Sequence, residues 1–91
     1  MKKIIDRKLY DTEEAEVIAT DERTIPRRTD LFVTKKANFF LCHWSRWKGE
    51  EDKIELLDQE QAWEFFRKNA TTDQITNYKE KYFLSIELER I

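Results

Sequence analysis

Cys42 and His43 are adjacent in the sequence, and they are the only cysteine and the only histidine of the chain. A structural zinc site takes four ligands, and a cysteine nucleophile needs a base close in space. Residues 38–47 contain the pair and have the aromatic and apolar composition of a β-strand. Successive side chains of a strand point to opposite faces. We therefore expect Cys42 and His43 to point apart, and we predict neither a metal site nor a catalytic pair.

The sequence shows no other pattern that predicts catalysis. The chain has nineteen acidic residues, but no spacing singles out a pair for acid–base chemistry. Its single glycine excludes a P-loop or a dinucleotide-binding fingerprint. We predict a protein that is not an enzyme and needs no cofactor.

The aromatic side chains of residues 38–47 suggest a binding surface. With Phe40, Cys42 and Trp44 on one face of the strand, the residues between them make a second apolar face. One face is expected to lie under helices, and the other needs a helix, a second subunit or a partner to cover it. Trp and Arg are enriched in protein–protein hot spots. The predicted partner-binding residues are Trp44, Arg46, Trp47, Glu50, Glu51 and Asp52.

Nucleic-acid binding is the alternative. Aromatic and Arg side chains on a sheet can stack single-stranded bases. The candidate residues are Arg27, Arg28, Lys35 and Lys36. The basic pairs of the chain, at residues 2–3, 7–8, 27–28 and 35–36, are scattered among acidic residues. The net charge is −2, which indicates a weak electrostatic footprint.

Length and composition indicate one domain, residues 1–91, with a core made from 40% hydrophobic residues. The basic start is followed by no apolar segment typical of a signal peptide, and no stretch is long and apolar enough for a membrane helix. One cysteine cannot form an internal disulfide. We expect a cytoplasmic protein with no membrane partner.

Alternating patterns predict strands at residues 30–36, 38–47 and 53–57, joined as an antiparallel meander with a turn at Gly49. The apolar residues at 4–5 and 9–10 fit either two short strands around a tight turn or one edge strand. The polar residues 21–29 are predicted to form a loop.

Capping patterns predict the helices. Asp11 with Glu14 predicts a helix over residues 11–20, and Asp58 with Gln61 predicts a second helix. Thr72 is predicted to cap a third. Residues 84–88 alternate like a strand, and a continuous helix over 72–90 is the competing prediction. The expected fold is α+β, a small antiparallel sheet of three to five strands with two or three helices packed on it.

Three segments carry a resemblance to a known group: Met-Lys-Lys-Ile-Ile at the start of residues 1–18, Thr-Lys-Lys within 34–41, and the helix start within 54–63. They resemble short accessory proteins of Gram-positive bacteria, their phages and mobile elements. In that group the central strand is followed by His-Gly-Glu-Gly-Gly, where this chain has residues 42–47. The resemblance implies a non-enzymatic protein that binds and blocks a host protein or ribonucleoprotein complex, as anti-CRISPR proteins do. A homodimer through the second sheet face is compatible with it.

Overall fold

A computed structural model describes residues 1–22, 28–45 and 51–89. These residues form two antiparallel sheets and two helices, which confirms the predicted α+β class. No helix among them is long and apolar enough to cross a membrane. The elements, in chain order, are β1 (Lys2–Ile5), β2 (Lys8–Asp11), β3 (Glu16–Asp21), β4 (Arg28–Val33), β5 (Phe39–Trp44), β6 (Lys53–Leu57), α1 (Gln59–Asn69) and α2 (Thr72–Tyr82).

The larger sheet has the order β3-β4-β5-β6, so the predicted meander is confirmed and β5 is an interior strand. Phe40 pairs with Phe32 on β4 and with Leu56 on β6. β4 begins two residues earlier than predicted, since Arg28 and Thr29 pair with the end of β5. The predicted turn at Gly49 and most of the predicted loop at 21–29 lie outside the described residues.

The two faces of β5 pack against different layers. Phe39 and Leu41 lie in the core under the helices, whereas Phe40 and Cys42 lie in a second core on the opposite face. That second core is covered by the hairpin β1–β2, whose Tyr10 contacts Phe40 edge-on with ring centroids 5.4 Å apart. The sequence pattern predicts a helix, a subunit or a partner as this cover. Around Phe40 the chain's own hairpin supplies it.

The helical layer is held by a cluster of aromatic rings. Phe83, which follows α2, is fully buried. Its ring lies 5.0 Å from that of Phe66 on α1 and 5.4 Å from those of Trp63 and Phe39. Phe83 therefore joins both helices to β5.

The predicted helix over residues 11–20 is wrong. The Asp11 carboxylate accepts a hydrogen bond from the amide of Glu13, and its carbonyl accepts from Ala15, which makes a single turn. The chain then enters β3, where Ile18 is an extra residue between two paired positions. This β-bulge places both Ile18 and Ala19 in the core under the helices. A bulged strand thus produced the apolar spacing of a helix.

Both predictions for the C-terminal segment are also wrong. α2 ends at Tyr82, and residues 84–88 form neither a strand nor a helix. The amide of Ile86 donates to the carbonyl of Phe83, so the chain turns directly after the buried ring. Leu84 and Leu88 remain exposed, which shows that burial of Phe83 and Ile86 outweighed the local pattern.

Both helices begin with a capping box. The Asp58 cap is confirmed, with its carboxylate 2.8 Å from the amide of Gln61. The second cap lies one residue before the prediction: the Thr71 hydroxyl accepts from the amide of Gln74, whose side chain accepts from the amide of Thr71. Thr72 is the first helical residue.

This displacement can be tested by a pair of adjacent substitutions. We expect Thr71→Ala to lower the free energy of unfolding by about 1 kcal/mol, because the amide of Gln74 loses its acceptor. Thr72→Ala should change it by less than about 0.5 kcal/mol. Urea denaturation followed by circular dichroism measures both; equal losses would contradict the assignment of the cap.

A second adjacent pair tests the aromatic cluster. Phe83→Ala should cost about 3–5 kcal/mol because it leaves a cavity between the helices and β5. Leu84→Ala, at a side chain that is 71% exposed, should be nearly neutral. If Phe83→Ala does not fold, Phe83→Leu replaces it in the comparison, because leucine keeps more of the side-chain volume. A Leu84 variant as unstable as the Phe83 variant would contradict this packing.

Candidate functional site

The structure describes only part of each predicted site. Trp44, Glu51 and Asp52 of the predicted partner-binding set are described, as are Arg28, Lys35 and Lys36 of the nucleic-acid set. The remaining predicted residues, Arg27, Arg46, Trp47 and Glu50, lie outside the described residues.

A buried carboxylate organises the end of the sheet at Trp44. Asp30, on β4, is only 2% exposed. It accepts hydrogen bonds from the Thr20 hydroxyl at 2.7 Å, the Arg28 guanidinium at 2.8 Å and the Trp44 indole at 2.9 Å. A buried carboxylate is costly unless its lone pairs are satisfied. These three donors offset that cost, and they hold a Trp and an Arg side chain in one arrangement.

The same end of the sheet carries two acidic residues of the predicted site. Asp52 precedes Lys53, the partner of His43, and therefore lies beside Trp44. Its carboxylate accepts from the amide of Ser45 at 2.8 Å, which joins the end of β5 to the start of β6. Glu51 is exposed. We call the surface formed by Arg28, Trp44, Glu51 and Asp52 the Trp44 end.

The described residues of the predicted nucleic-acid set, Arg28, Lys35 and Lys36, do not lie together. Arg28 begins β4, while Lys35 and Lys36 lie in the turn that follows it, and a six-residue strand spans about 17 Å. The two lysines instead share a groove of about 380 Å³ with Arg7, in the β1–β2 turn, and with Lys8, the first residue of β2. This grouping depends on how the hairpin β1–β2 docks on the sheet, and no spacing in the sequence indicates it.

Cys42 and His43 point to opposite faces of the sheet, as predicted. The side chain of His43 contacts two residues that are distant from it in the sequence. Its Nδ1 lies 3.2 Å from the Thr29 hydroxyl, and its Nε2 lies 3.0 Å from a Glu55 carboxylate oxygen. A carboxylate, an imidazole and a hydroxyl in series have the connectivity of a catalytic relay. Here the three residues lie on β6, β5 and β4, and the side chains of His43 and Glu55 are about half-exposed. The arrangement ties three strands together across one face of the sheet.

Cys42 is fully buried. Burial, together with the negative charges of Asp52 and Asp30, raises the pKa of its thiol from 9.0 to about 11. A thiol is a nucleophile and a metal ligand only after it loses its proton. Cys42 therefore behaves as a small apolar side chain of the second core.

No protein-family model, curated protein or solved structure matches this chain. The resemblance to phage and mobile-element accessory proteins accordingly stays a prediction based on its quoted segments.

The raised pKa of Cys42 predicts a pH dependence of stability. The folded thiol keeps its proton up to about pH 11, whereas the unfolded thiol loses it near pH 9.0, so the folded state binds more protons in this interval. Its contribution to stability is thus complete below pH 9 and is lost as the pH rises toward 11. We expect the free energy of unfolding to fall more steeply across this interval in the wild type than in Cys42→Ala.

The comparison uses slopes rather than absolute stabilities, because all other titratable side chains are the same in the two proteins. Denaturant unfolding at several pH values provides the measurement. Parallel curves for the two proteins would show that the thiol is not protonated preferentially in the folded state.

Proposed function

We propose that this protein is a non-enzymatic accessory protein that acts by binding another protein through the Trp44 end. The observation that carries the proposal is the network around Asp30, which fixes Arg28 and Trp44 side by side at the end of the sheet. The Arg28 side chain is 49% exposed, and Trp44 is half-buried.

This arrangement suits a hot spot. Trp and Arg provide large contact areas and are the residue types on which binding energy concentrates. A partner that orders a free side chain loses about 0.5–1.5 kcal/mol for each one immobilised. Hydrogen bonds to Asp30 have already ordered Arg28 and Trp44, so that cost is reduced.

The surroundings of these two residues also suit an interface. Interfaces place a desolvated aromatic or Arg anchor within a polar rim. Beside Trp44, Glu51 is exposed and Asp52 is half-buried. The predicted partner-binding residues Arg46, Trp47 and Glu50 lie in the sequence between Trp44 and Glu51.

We further propose that the partner is a host defence complex, a protein or a ribonucleoprotein, which the protein blocks in the host cytoplasm as an anti-CRISPR-type inhibitor. The support is the resemblance of residues 1–18, 34–41 and 54–63 to accessory proteins of phages and mobile elements. A 91-residue inhibitor of this kind would act stoichiometrically, by occupying a surface. Self-association stays a prediction from the sequence.

The test has two parts, inhibition and site. Expression of the wild type in a bacterium with an active CRISPR system should restore plating of a targeted phage, and the purified protein should bind the purified effector complex. Trp44→Ala should weaken that binding by about 30-fold, the effect of losing a hot spot worth about 2 kcal/mol.

Removing Trp44 also leaves Asp30 with one donor fewer, so folding must be followed in parallel by thermal unfolding. Arg28→Ala is the second site variant: its half-exposed side chain contributes less packing, but Asp30 loses its cationic donor, so its folding is followed in the same way. Trp63→Phe, on α1 under the opposite face of the sheet, is the matched control and should bind like the wild type. If folded Arg28 and Trp44 variants bind normally, the Trp44 end is not the binding site. If the wild type fails to bind the effector complex or to inhibit it, the proposed function is wrong.

A further inference from the structure

The groove between β2 and the β4–β5 turn has an unusual lining. Residues 7–11 all border it, together with Lys35 and Lys36 of the turn and with Glu14 and Ala15. Alternate side chains of a strand point to opposite faces. Five consecutive residues can border one groove when it runs along the edge of the strand. We call it the β2 groove.

The hydrogen-bond pattern of the hairpin shows which backbone groups face this edge. Asp6 and Arg7 have φ values of 49° and 63°, as in the two-residue type I′ turn. Ile5 and Lys8 then form the closing hydrogen-bonded pair, and such pairs alternate along an antiparallel ladder. The amide of Thr12 donates to the carbonyl of Met1, which agrees with this phase.

The intervening pairs leave their backbone groups pointing away from β1. These are Ile4 with Leu9 and Lys2 with Asp11. The carbonyl of Asp11 accepts from Ala15 and Glu14. Within the described part of the chain, no hydrogen bond outside the ladder reaches the amide or carbonyl of Leu9 or the amide of Asp11. Two donors and one acceptor are thus available along the groove.

The charges around the β2 groove favour an acidic ligand. Among the described residues that line it, the four basic side chains of Arg7, Lys8, Lys35 and Lys36 outnumber the two acidic ones, Asp11 and Glu14. The Lys35 ammonium lies 3.9 Å from Glu14, and the two side chains are largely exposed, so solvent screens this pair. Leu9, 58% exposed at the centre of β2, adds apolar surface between the basic groups.

We infer that the β2 groove binds an extended acidic segment of a partner protein, which adds to the hairpin as a third strand beside β2. Strand addition takes its affinity from main-chain hydrogen bonds and its specificity from alternate side chains. A nucleic acid fits less well, because it has no alternating amide donors and carbonyl acceptors to pair with the edge of β2. The inference rests on the proposed function, since it gives the protein-binding activity a second surface and a ligand of defined chemistry.

A defined peptide tests the groove without knowledge of the partner. We would titrate isotope-labelled protein with a short acetylated and amidated peptide of alternating Glu and Val and follow amide signals by NMR. The amides of Leu9 and Asp11 should shift and become protected from hydrogen exchange. The same peptide with Lys in place of Glu should bind at least about tenfold more weakly.

Two matched substitutions separate the backbone from the charge contribution. Leu9→Pro removes the amide hydrogen that faces the groove and leaves the hydrogen bonds to β1 intact, since proline is tolerated at a strand edge. It should abolish binding, whereas Leu9→Ala, which keeps the amide, should retain most of it. The double variant Lys35→Glu/Lys36→Glu should also lose binding, with Lys53→Glu on β6 as its unaffected charge control. Spectra of the free variants show whether each is folded.

Several results would overturn the inference. These are no shift at Leu9 or Asp11 at millimolar peptide, equal binding of the Lys peptide, or normal binding by folded Leu9→Pro. Displacement of the peptide by a single-stranded oligonucleotide that itself shifts the groove amides would assign the groove to nucleic acid instead. The titration does not depend on the plating assay. A Lys35→Glu/Lys36→Glu variant that inhibits like the wild type would remove the groove proposal and leave the proposed function standing.

Discussion

Both faces of β5 carry apolar side chains, and the rest of the fold is arranged to cover them. A pleated strand cannot turn Phe39 and Phe40 to the same side, so each face needs its own layer. The helices cover Phe39 and Leu41, and the hairpin β1–β2 covers Phe40. A chain of 91 residues buries a modest fraction of its unfolded surface. Nearly every element therefore contributes to the core. This includes the N-terminal hairpin β1–β2, whose Tyr10 lies in the second core.

The two candidate binding surfaces, the Trp44 end and the β2 groove, lie at opposite ends of β4, at the margins of the layers that cover β5. At the Trp44 end, β4 and β5 extend to Arg28 and Trp44, and the Asp30 carboxylate beneath them takes its donors from those same side chains. A buried carboxylate imposes geometry on its donors, since each must aim a hydrogen at a fixed oxygen. At the other end of β4, the hairpin covers the second core, and none of the described strands pairs with the edge of β2 beside the β4–β5 turn. One surface presents ordered side chains, and the other presents ordered backbone groups.

The sequence predicted much of the fold and little of the site. Asp58 and Gln61 predict the start of α1, because both residues of a capping box lie within four positions of the sequence. The opposite orientations of Cys42 and His43 follow from strand alternation alone. The pattern at Asp11 misled because an Asp followed by acidic residues forms the same first turn whether or not a helix follows. A bulge at Ile18 then reproduced helical spacing within a strand. Thr71 rather than Thr72 caps α2 because Gln74, three residues after Thr71, completes a capping box, whereas Ile75 occupies the equivalent position after Thr72.

The sequence by itself determined what acts over a few residues: the faces of β5, the capping boxes, the meander and the α+β class. The tertiary structure decided which distant residues meet. It brought Asp30 to Trp44 and Glu55 to His43, and it placed Arg7 and Lys8 beside Lys35 and Lys36. The physical reason is that alternation and capping use hydrogen bonds and geometry internal to one segment. Strand register, the bulge and the docking of the hairpin depend on burying side chains between segments, and no single segment carries that information.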